Sequence, residues 1–419
     1  MRIFFGIVIV IACPFLASAY LETRLWTHSQ PGVRHRRSQV DERIDTALNS
    51  EREAAQTFRT EVHVKPTPLD RRFGYDDTFT LLGSCFSDNI GERLARLKYE
   101  VAVNPSHGIL FSPLSVASSL KRACAGLPYG QEDLVFNKDT GLWCSLDHHS
   151  HFSSTNREAC VEGINKALRG AQEDLLSSKC VFITLGSAWV FRNTETGRDV
   201  ANCHKLPQAL FEKRIVPVRE IVSRLDEALS TLAECNPGCH VVITVSPVRH
   251  WRDGAACNMR SKAHLLSAAH ELVELREGRA HGIRGTSKDI GNLEYFPSFE
   301  IVNDDLRDYR FFEADMIHPN NVAVNYILQK LMESMFSASA ITTSKEVESL
   351  LRAKEHRPFN PHSEIHQQFL LRQVQKLDNL VLKNPGIDLQ NERNHFSEAL
   401  LTVYGQNLLE QGEDNTNSI

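Results

Sequence analysis

The strongest constraint on the fold is an alternation of short apolar runs with helical stretches between about residues 76 and 340. This alternation is typical of an α/β domain in which helices cover a mostly parallel sheet. Strands are predicted over 78–82, 99–103, 180–185 and 241–245. The last two are continuous apolar or β-branched runs, which favours strands buried on both faces.

Helical periodicity follows several of these strands. Behind 78–82, apolar residues recur at helical spacing after Ser87 and Asp88, either of which suits an N-cap. A second amphipathic stripe is predicted over 221–232. A third covers 324–335, and there Pro319 suits the first helical position. We take residues 70–340 as one domain.

The N-terminus has the composition of a targeting segment. Arg2 precedes an apolar run that Pro14 breaks, and Ala17-Ser18-Ala19 follows, which predicts a signal peptide over 1–19 rather than a membrane anchor. Residues 20–50 form a leader whose first half is rich in Arg, Ser and Thr, as in transit peptides, and the whole resembles the bipartite plastid leaders of algae with complex plastids. The protein is thus expected to enter the secretory pathway and to reach a plastid or be secreted.

The C-terminal region changes character, with abundant Glu, Lys, Gln and Asn and with turn-forming prolines. Residues 345–419 are predicted to form a helical extension with a polar tail. One helix is expected over 363–382, with a stripe that packs on the domain or on another subunit. The stripe consists of Ile365, Phe369, Val374, Leu377 and Val381.

Charge and cysteine spacing exclude several functions. The chain has 47 Lys and Arg against 52 Asp and Glu, a net charge of −5, so no general positive field is available to hold nucleic acid. Its ten cysteines contain no CxxC pair, which argues against a zinc ribbon, although a disulfide between Cys235 and Cys239 is possible. The stretch 147–151 holds three histidines and one aspartate. Because adjacent histidines rarely chelate one ion, we assign it to substrate contact or a solvated loop. No metal or cofactor is predicted.

Ser84 is the first candidate for chemistry. It follows Gly83 at the end of a predicted strand, just before a predicted helix. Free backbone N–H groups and the helix dipole at such a turn stabilise an oxyanion. The same geometry also suits a simple helix cap or a phosphate site.

Asp315 and His318 are the second candidate. An aspartate three residues before a histidine can hold the imidazole in one tautomer and stabilise its cation. His318 lies just before a predicted helix and is free to enter a cleft. With Ser84, the order Ser, Asp, His is that of a nucleophile, an orienting carboxylate and a base.

At this point the sequence resembles a known family. Gly83-Ser84-Cys85-Phe86-Ser87 is similar to the motif that names the GSCFA family, and further blocks follow in the expected order over 104–108, 184–189, 201–205, 244–250 and 306–318. The resemblance covers about residues 76–337. GSCFA proteins resemble SGNH/GDSL hydrolases, which implies a flavodoxin-like three-layer α/β/α sandwich and ester or acetyl-ester hydrolysis.

The resemblance assigns catalytic roles to residues of this chain. It implies Ser84 as nucleophile, with Asp315 and His318 completing the set, and the N–H groups of Ser84 and Gly108 as oxyanion donors. A further donor is usually an Asn soon after a Gly at the third strand, but Ser187 follows Gly186 here. We therefore expect Asn202 to replace it.

Basic residues near strand ends are the candidate substrate contacts. Arg249 and His250 end a predicted strand, and His204 and Lys205 share its crevice in our interpretation. The expected function is a serine esterase acting on a small-molecule or carbohydrate ester through an acyl-enzyme. The alternatives are an O-acyltransferase with the same acyl-enzyme and a noncatalytic carbohydrate- or phosphate-binding module. No nucleic-acid partner and no membrane span in the mature chain are expected.

Overall fold

The computed structural model describes residues 61–278 and 292–416. The predictions for residues 1–50 lie outside this part of the chain. Within it, ten strands are present, and they are listed here in chain order. They are β1 Thr78–Gly83, β2 Glu100–Val103, β3 Leu134–Asn137, β4 Leu142–Ser145, β5 Cys180–Leu185, β6 Trp189–Asn193, β7 Asp199–Val200, β8 Phe211–Ile215, β9 His240–Val245 and β10 Asn292–Phe296.

Nine longer helices accompany these strands in the described residues. They are α1 Cys85–Arg96, α2 Pro113–Ala125, α3 Arg157–Ser177, α4 Val218–Cys235, α5 Gly254–Arg276, α6 Asn321–Met335, α7 Ala338–Glu355, α8 Glu364–Lys383 and α9 Gln390–Thr416. None of the helices in the described ranges combines the length and the apolar composition that crossing a membrane requires.

The central sheet has five parallel strands in the order β2-β1-β5-β9-β10. Renumbered within the sheet, this order is 2-1-3-4-5, the flavodoxin-like arrangement. The predicted α/β class with a mostly parallel sheet is confirmed, and all four predicted strands are present. The edge strand β10 was not predicted because its Asn292 and Glu294 interrupt the apolar pattern.

Side chains of the central strands alternate between two cores. Val181 and Ile183 of β5 pack with helices α2 to α5 on one face of the sheet. Phe182 of the same strand packs with α1 and α6 on the other face, beside Phe79 of β1. Because successive residues of a strand point to opposite faces, both faces are covered and the domain has three layers.

Two small antiparallel sheets lie outside this pattern. The hairpin β3-β4 precedes α3, and the strands β7-β6-β8 follow β5. Their strands are short and carry polar residues at many positions, so their hydrophobic periodicity is weak. The sequence analysis did not predict them.

Three helix details differ from the predictions. Helix α1 begins at Cys85 with Ser84 as N-cap, earlier than Ser87 or Asp88, since the chain leaves β1 directly into the helix. Helix α6 begins at Asn321 because the Asn320 side chain accepts from the next two free amides, so Pro319 is not its first residue. In α8, Ile365 is 81% exposed. The other four residues of the predicted stripe do pack on the C-terminal cluster, and Leu370 and Leu380 complete the inward face of α8.

Helices α7 to α9 share a hydrophobic cluster of their own. The predicted boundary at 345 falls within α7, and the division of the chain there stays a prediction. Glu392 of α9 is 2% exposed and receives the ammonium of Lys98, at 2.9 Å, and that of Lys354, at 3.4 Å. Since Lys98 lies between α1 and β2, this pair ties the C-terminal helices to the sheet domain.

Cys235 and Cys239 are both free thiols.

We expect Glu392→Gln to lower the free energy of unfolding by about 2 kcal/mol, because it leaves two lysines without their buried carboxylate. Burial raises the pKa of Glu392, but the hydrogen bond and charge of Lys98 outweigh this and hold the pKa below the usual 4.5. The contribution is therefore present above pH 4.5 and is lost as the pH falls through the lowered pKa. Urea unfolding between pH 3 and pH 7 measures it.

Glu355→Gln is the matched control. Glu355 pairs with Arg96 at an exposed position, so its loss should change the free energy of unfolding by less than about 0.5 kcal/mol. Equal effects of the two substitutions would contradict the proposed tie.

Candidate active site

The candidate site lies at the carboxyl edge of the central sheet, where the connections from β1 and β5 leave for opposite faces. Open α/β sheets bind ligands at such a switch point. Ser84 follows β1 directly, is 1% exposed and caps α1. Its Oγ accepts a hydrogen bond from the Phe86 N–H at 3.3 Å. The serine is thus a cap that also stands at the N-terminus of a twelve-residue helix.

The turn before Ser84 is held by two residues. Gly83 has φ of +128°, and a Cβ built there would lie 2.1 Å from the Thr184 carbonyl oxygen. Asn104 accepts from the Gly83 N–H at 2.8 Å and donates to Asp88 at 2.7 Å. Its backbone is left-handed, with φ of +46°, a conformation that Asn adopts more readily than most residues. The sequence analysis included Asn104 in a family block but gave it no function.

Asp315 and His318 form the predicted pair. Asp315 Oδ2 lies 2.7 Å from His318 Nδ1, while Oδ1 accepts from the N–H groups of Ile317 and His318. The hydrogen bond from the His318 ring and those two amides lower the pKa of Asp315 to about 2. The carboxylate therefore orients the ring and leaves Nε2 for chemistry.

The loop that carries this pair is attached to the end of β9. The Arg249 N–H donates to the Ile317 carbonyl at 3.3 Å. Ser84 follows β1, and β5 lies between β1 and β9, so the two groups follow strands about 10 Å apart. No hydrogen bond joins Ser84 to His318. Catalytic hydrogen bonds are often long without substrate and tighten when it binds.

The three expected oxyanion donors all have partners within the protein. The Ser84 N–H donates to the Thr184 carbonyl and the Gly108 N–H to the Asn104 carbonyl, each at 3.2 Å. The Asn202 side chain donates to Ser150 Oγ at 3.1 Å. An oxyanion would have to displace these long hydrogen bonds or share them.

The histidine stretch 147–151 separates into two parts. His148 is buried, bonds Ser145 Oγ and stacks on His107, and its burial lowers its pKa to about 2. His149 and His151 instead border the candidate site, because a Cβ on Gly108 would lie 2.7 and 2.8 Å from their atoms. Within the described ranges, no group of three or more His, Cys, Asp or Glu side chains is arranged to hold a metal.

The four predicted substrate contacts occupy different places. His204 is buried and its Nε2 lies 2.7 Å from the Ser145 carbonyl, so its ring belongs to the β3-β4 hairpin. Lys205 follows it with φ of +59°. His250 packs against Phe111 with the ring centroids 5.0 Å apart. Burial, together with the charge of Lys262, lowers the pKa of His250 to about 4, so its ring is neutral at pH 7.

Arg249 stands beside the Asp315 loop among aromatic rings. Its guanidinium lies 4.2 Å from the ring centroid of Phe312 and 5.2 Å from that of Tyr309. Together with Trp251, Asp315, Met316 and Ile317, Arg249 and Tyr309 line a cavity of about 290 Å³. A larger cavity of about 590 Å³, near Arg122 and Arg198, contains none of the candidate catalytic residues.

Lys262 of α5 is a second residue to which the sequence analysis gave no role. It is 1% exposed, and its Nζ donates to the carbonyls of Gly186 and Ser246 at 2.8 and 2.6 Å. It occurs at helical spacing with Asn258 and Leu265, both buried. The apolar periodicity of α5 is weak and its buried face includes Asn258 and Ser261, so the sequence carries no clear signal for this lysine.

The fold and the site together define a three-layer α/β protein with a Ser, a His and an Asp at the carboxyl edge of its sheet. Residues 78–331 match the model of the GSCFA family, and residues 347–402 match that of the GSCFA domain protein, C-terminal domain. The chain belongs to the GSCFA family. A comparison with curated proteins gives no match.

Two solved structures were compared with this one. A mutant acetyl esterase with an acetate ion is 10% identical, has a TM-score of 0.30 and matches over 65% of this chain and 99% of its own. An acetyl xylan esterase from the rumen bacterium Butyrivibrio proteoclasticus is 12% identical, has a TM-score of 0.32 and matches over 62% and 63%.

We expect Gly83→Ala to lower the free energy of unfolding by more than about 3 kcal/mol, since its Cβ meets backbone at 2.1 Å and its φ is unfavourable. Gly141→Ala is the control, because Gly141 also has a positive φ but open space around its Cβ position. Its cost should be about 1 kcal/mol. Chemical denaturation measures both, and similar costs would contradict the close contact of β1 with Thr184.

Proposed function

We propose that this protein is a serine esterase that uses Ser84, His318 and Asp315 through an acyl-enzyme. The observation that carries the proposal is the Asp315 to His318 hydrogen bond of 2.7 Å at the sheet edge that also presents Ser84. An imidazole oriented by a carboxylate, at the same sheet edge as a serine on a helix N-terminus, is an arrangement that can activate a hydroxyl group once substrate brings the two together.

In the proposed reaction, His318 Nε2 removes the Ser84 proton as Oγ attacks the ester carbonyl carbon. The Ser84 and Gly108 N–H groups then exchange their 3.2 Å carbonyl partners for the oxyanion. Collapse of the tetrahedral intermediate breaks the ester bond, and the alcohol leaves with the proton from His318. Water, deprotonated by the same imidazole, releases the acid and restores Ser84.

The cavity beside Asp315 is the proposed substrate site. Its aromatic side chains, Trp251 and Tyr309, are 49% and 60% exposed and offer flat apolar surfaces to a substrate ring. Arg249 adds hydrogen-bond donors at the same place. These features suit a carbohydrate or other small ester.

A fluorophosphonate probe tests the nucleophile. We expect the full chain to be labelled at Ser84, as mapped by peptide mass spectrometry, and labelling to disappear in Ser84→Ala. His318→Ala should lower the labelling rate by about 100-fold or more, since removal of the base leaves a weak nucleophile. Ser118→Ala, at an exposed position on α2, is the control and should label like the wild type.

The outcomes distinguish the alternatives. A folded wild type that stays unlabelled, or label at another residue, would overturn the esterase proposal. Ligand binding unaffected by Ser84→Ala would then favour a noncatalytic module. If Ser84 is labelled but the acyl group passes to an added alcohol faster than to water, the protein is an acyltransferase.

Asp315→Asn tests the role of the carboxylate. We expect kcat to fall by about 100-fold or more, with little change in KM, because the ring loses its orienting charge. The pKa of Asp315 is about 2, so the carboxylate is ionised throughout pH 5 to 9 and becomes neutral only as the pH falls towards 2. The fall in kcat should thus be present throughout pH 5 to 9. A variant that reaches the wild-type rate anywhere in this range would contradict this role.

A further inference from the structure

Lys262 occupies an unusual position below the candidate site. Its Nζ bridges the carbonyl of Gly186, just after β5, and that of Ser246, just after β9. These two strands are neighbours in the sheet. The lysine therefore joins the carboxyl ends of two central strands, within the edge that carries Ser84.

The surroundings of this lysine contain little negative charge. In the part of the chain that the structure describes, the hydrogen bonds of its Nζ go to two backbone carbonyls and none goes to a carboxylate. The titratable groups that face it are the Cys85 thiol at the start of α1 and the His250 ring after β9. The negative charge of Asp88, also on α1, raises the pKa of Cys85. Burial lowers the pKa of Lys262 to about 7, with Cys85 opposing that change.

A purely structural explanation fits this arrangement poorly. Burying an ammonium without a carboxylate is costly, and an apolar side chain of similar length would fill the same space more cheaply. An ammonium has three donors, and the two carbonyls take two of them. The lysine stands at the sheet edge from which Ser84 enters α1, because its partner Gly186 lies two residues after Thr184, whose carbonyl accepts from the Ser84 N–H. The N-terminal amides of α1 favour an anion there.

We propose that Lys262 is a positioning residue that places a positive charge beneath the start of α1 and so stabilises the anion formed at Ser84. Lys262 acts through the first turn of α1 and through the two strand ends that it joins. This inference rests on the proposed esterase function.

The kinetic test compares Lys262→Met, which removes the charge but keeps the length, with Lys262→Arg, which keeps the charge. We expect Lys262→Met to lower kcat by about 100-fold with KM within about threefold of the wild type. Lys262→Arg should recover part of kcat. The exposed Lys166→Met on α3 is the control and should be unchanged. Thermal unfolding establishes that each variant is folded.

The pH profile separates a charge effect from a packing effect. The lysine is cationic below its pKa of about 7 and neutral above it, so wild-type kcat should decline as the pH rises beyond 7. This decline should be absent in Lys262→Met. Loss of activity in the variant with the decline unchanged would overturn the proposal.

Alkylation of Cys85 by iodoacetamide gives a readout that needs no esterase activity. The Lys262 charge lowers the pKa of this thiol, against the larger effect of burial. Lys262→Met should therefore slow alkylation of the Cys85 peptide at pH 7 several-fold, as followed by mass spectrometry. Equal rates in the wild type and the variant would overturn the placement of the charge.

These measurements distinguish the two proposals. Suppose that Lys262→Met slows Cys85 alkylation but the fluorophosphonate never labels Ser84 in the wild type. The position of the Lys262 charge would then be supported, whereas its catalytic role and the esterase proposal would both be overturned. If Lys262→Met does not fold, the pH dependence of Cys85 alkylation in the wild type tests the position of the charge. Its Cys85 alkylation should rise less steeply with pH than a simple thiol titration, because Lys262 loses its charge near pH 7. A simple titration curve would overturn the proposal.

Discussion

The close approach of β1 to β5 is the contact on which the site depends. Gly83 lies so near the Thr184 carbonyl that no side chain fits between them. The next residue, Ser84, also donates its N–H to that carbonyl before the chain enters α1. Sheet pairing, the turn and the start of the helix therefore fall within three residues. Asn104 joins β2 to this assembly, because its side chain holds Gly83 and Asp88 together.

The parts of the fold that the sequence predicted are those in which one pattern dominates. Continuous apolar runs such as β5 are buried on both faces, so every residue of the strand is apolar or β-branched and contributes to the prediction. Strand β10 alternates polar and apolar residues at the sheet edge, and β6 to β8 are short, so tertiary pairing decides their structure. The start of each helix depends on which polar residue forms the better N-cap. In α6 this is Asn320, whose side chain accepts hydrogen bonds from two backbone amides.

The site could be predicted in part for the same reason. Asp315 and His318 lie three residues apart, and a loop of that length brings them together without help from the rest of the chain. Gly108 and Asn202 are far from Ser84 in sequence, and the structure shows their donors bonded to Asn104 and Ser150. Lys262 was missed because its two partners are backbone carbonyls at the ends of different strands, and a backbone group leaves no mark in the sequence.

The hydrogen bond of Ser84 to its own helix bears directly on its chemistry. At 3.3 Å, the bond from the Phe86 N–H is long, so the serine Oγ can leave it at small cost. The amide then becomes a free donor at the positive end of α1, in the place where an anion would form. Capping and nucleophilic attack are therefore compatible roles for one side chain. Because Ser84 is almost fully buried, water has little access to the turn, which strengthens each interaction with the developing charge.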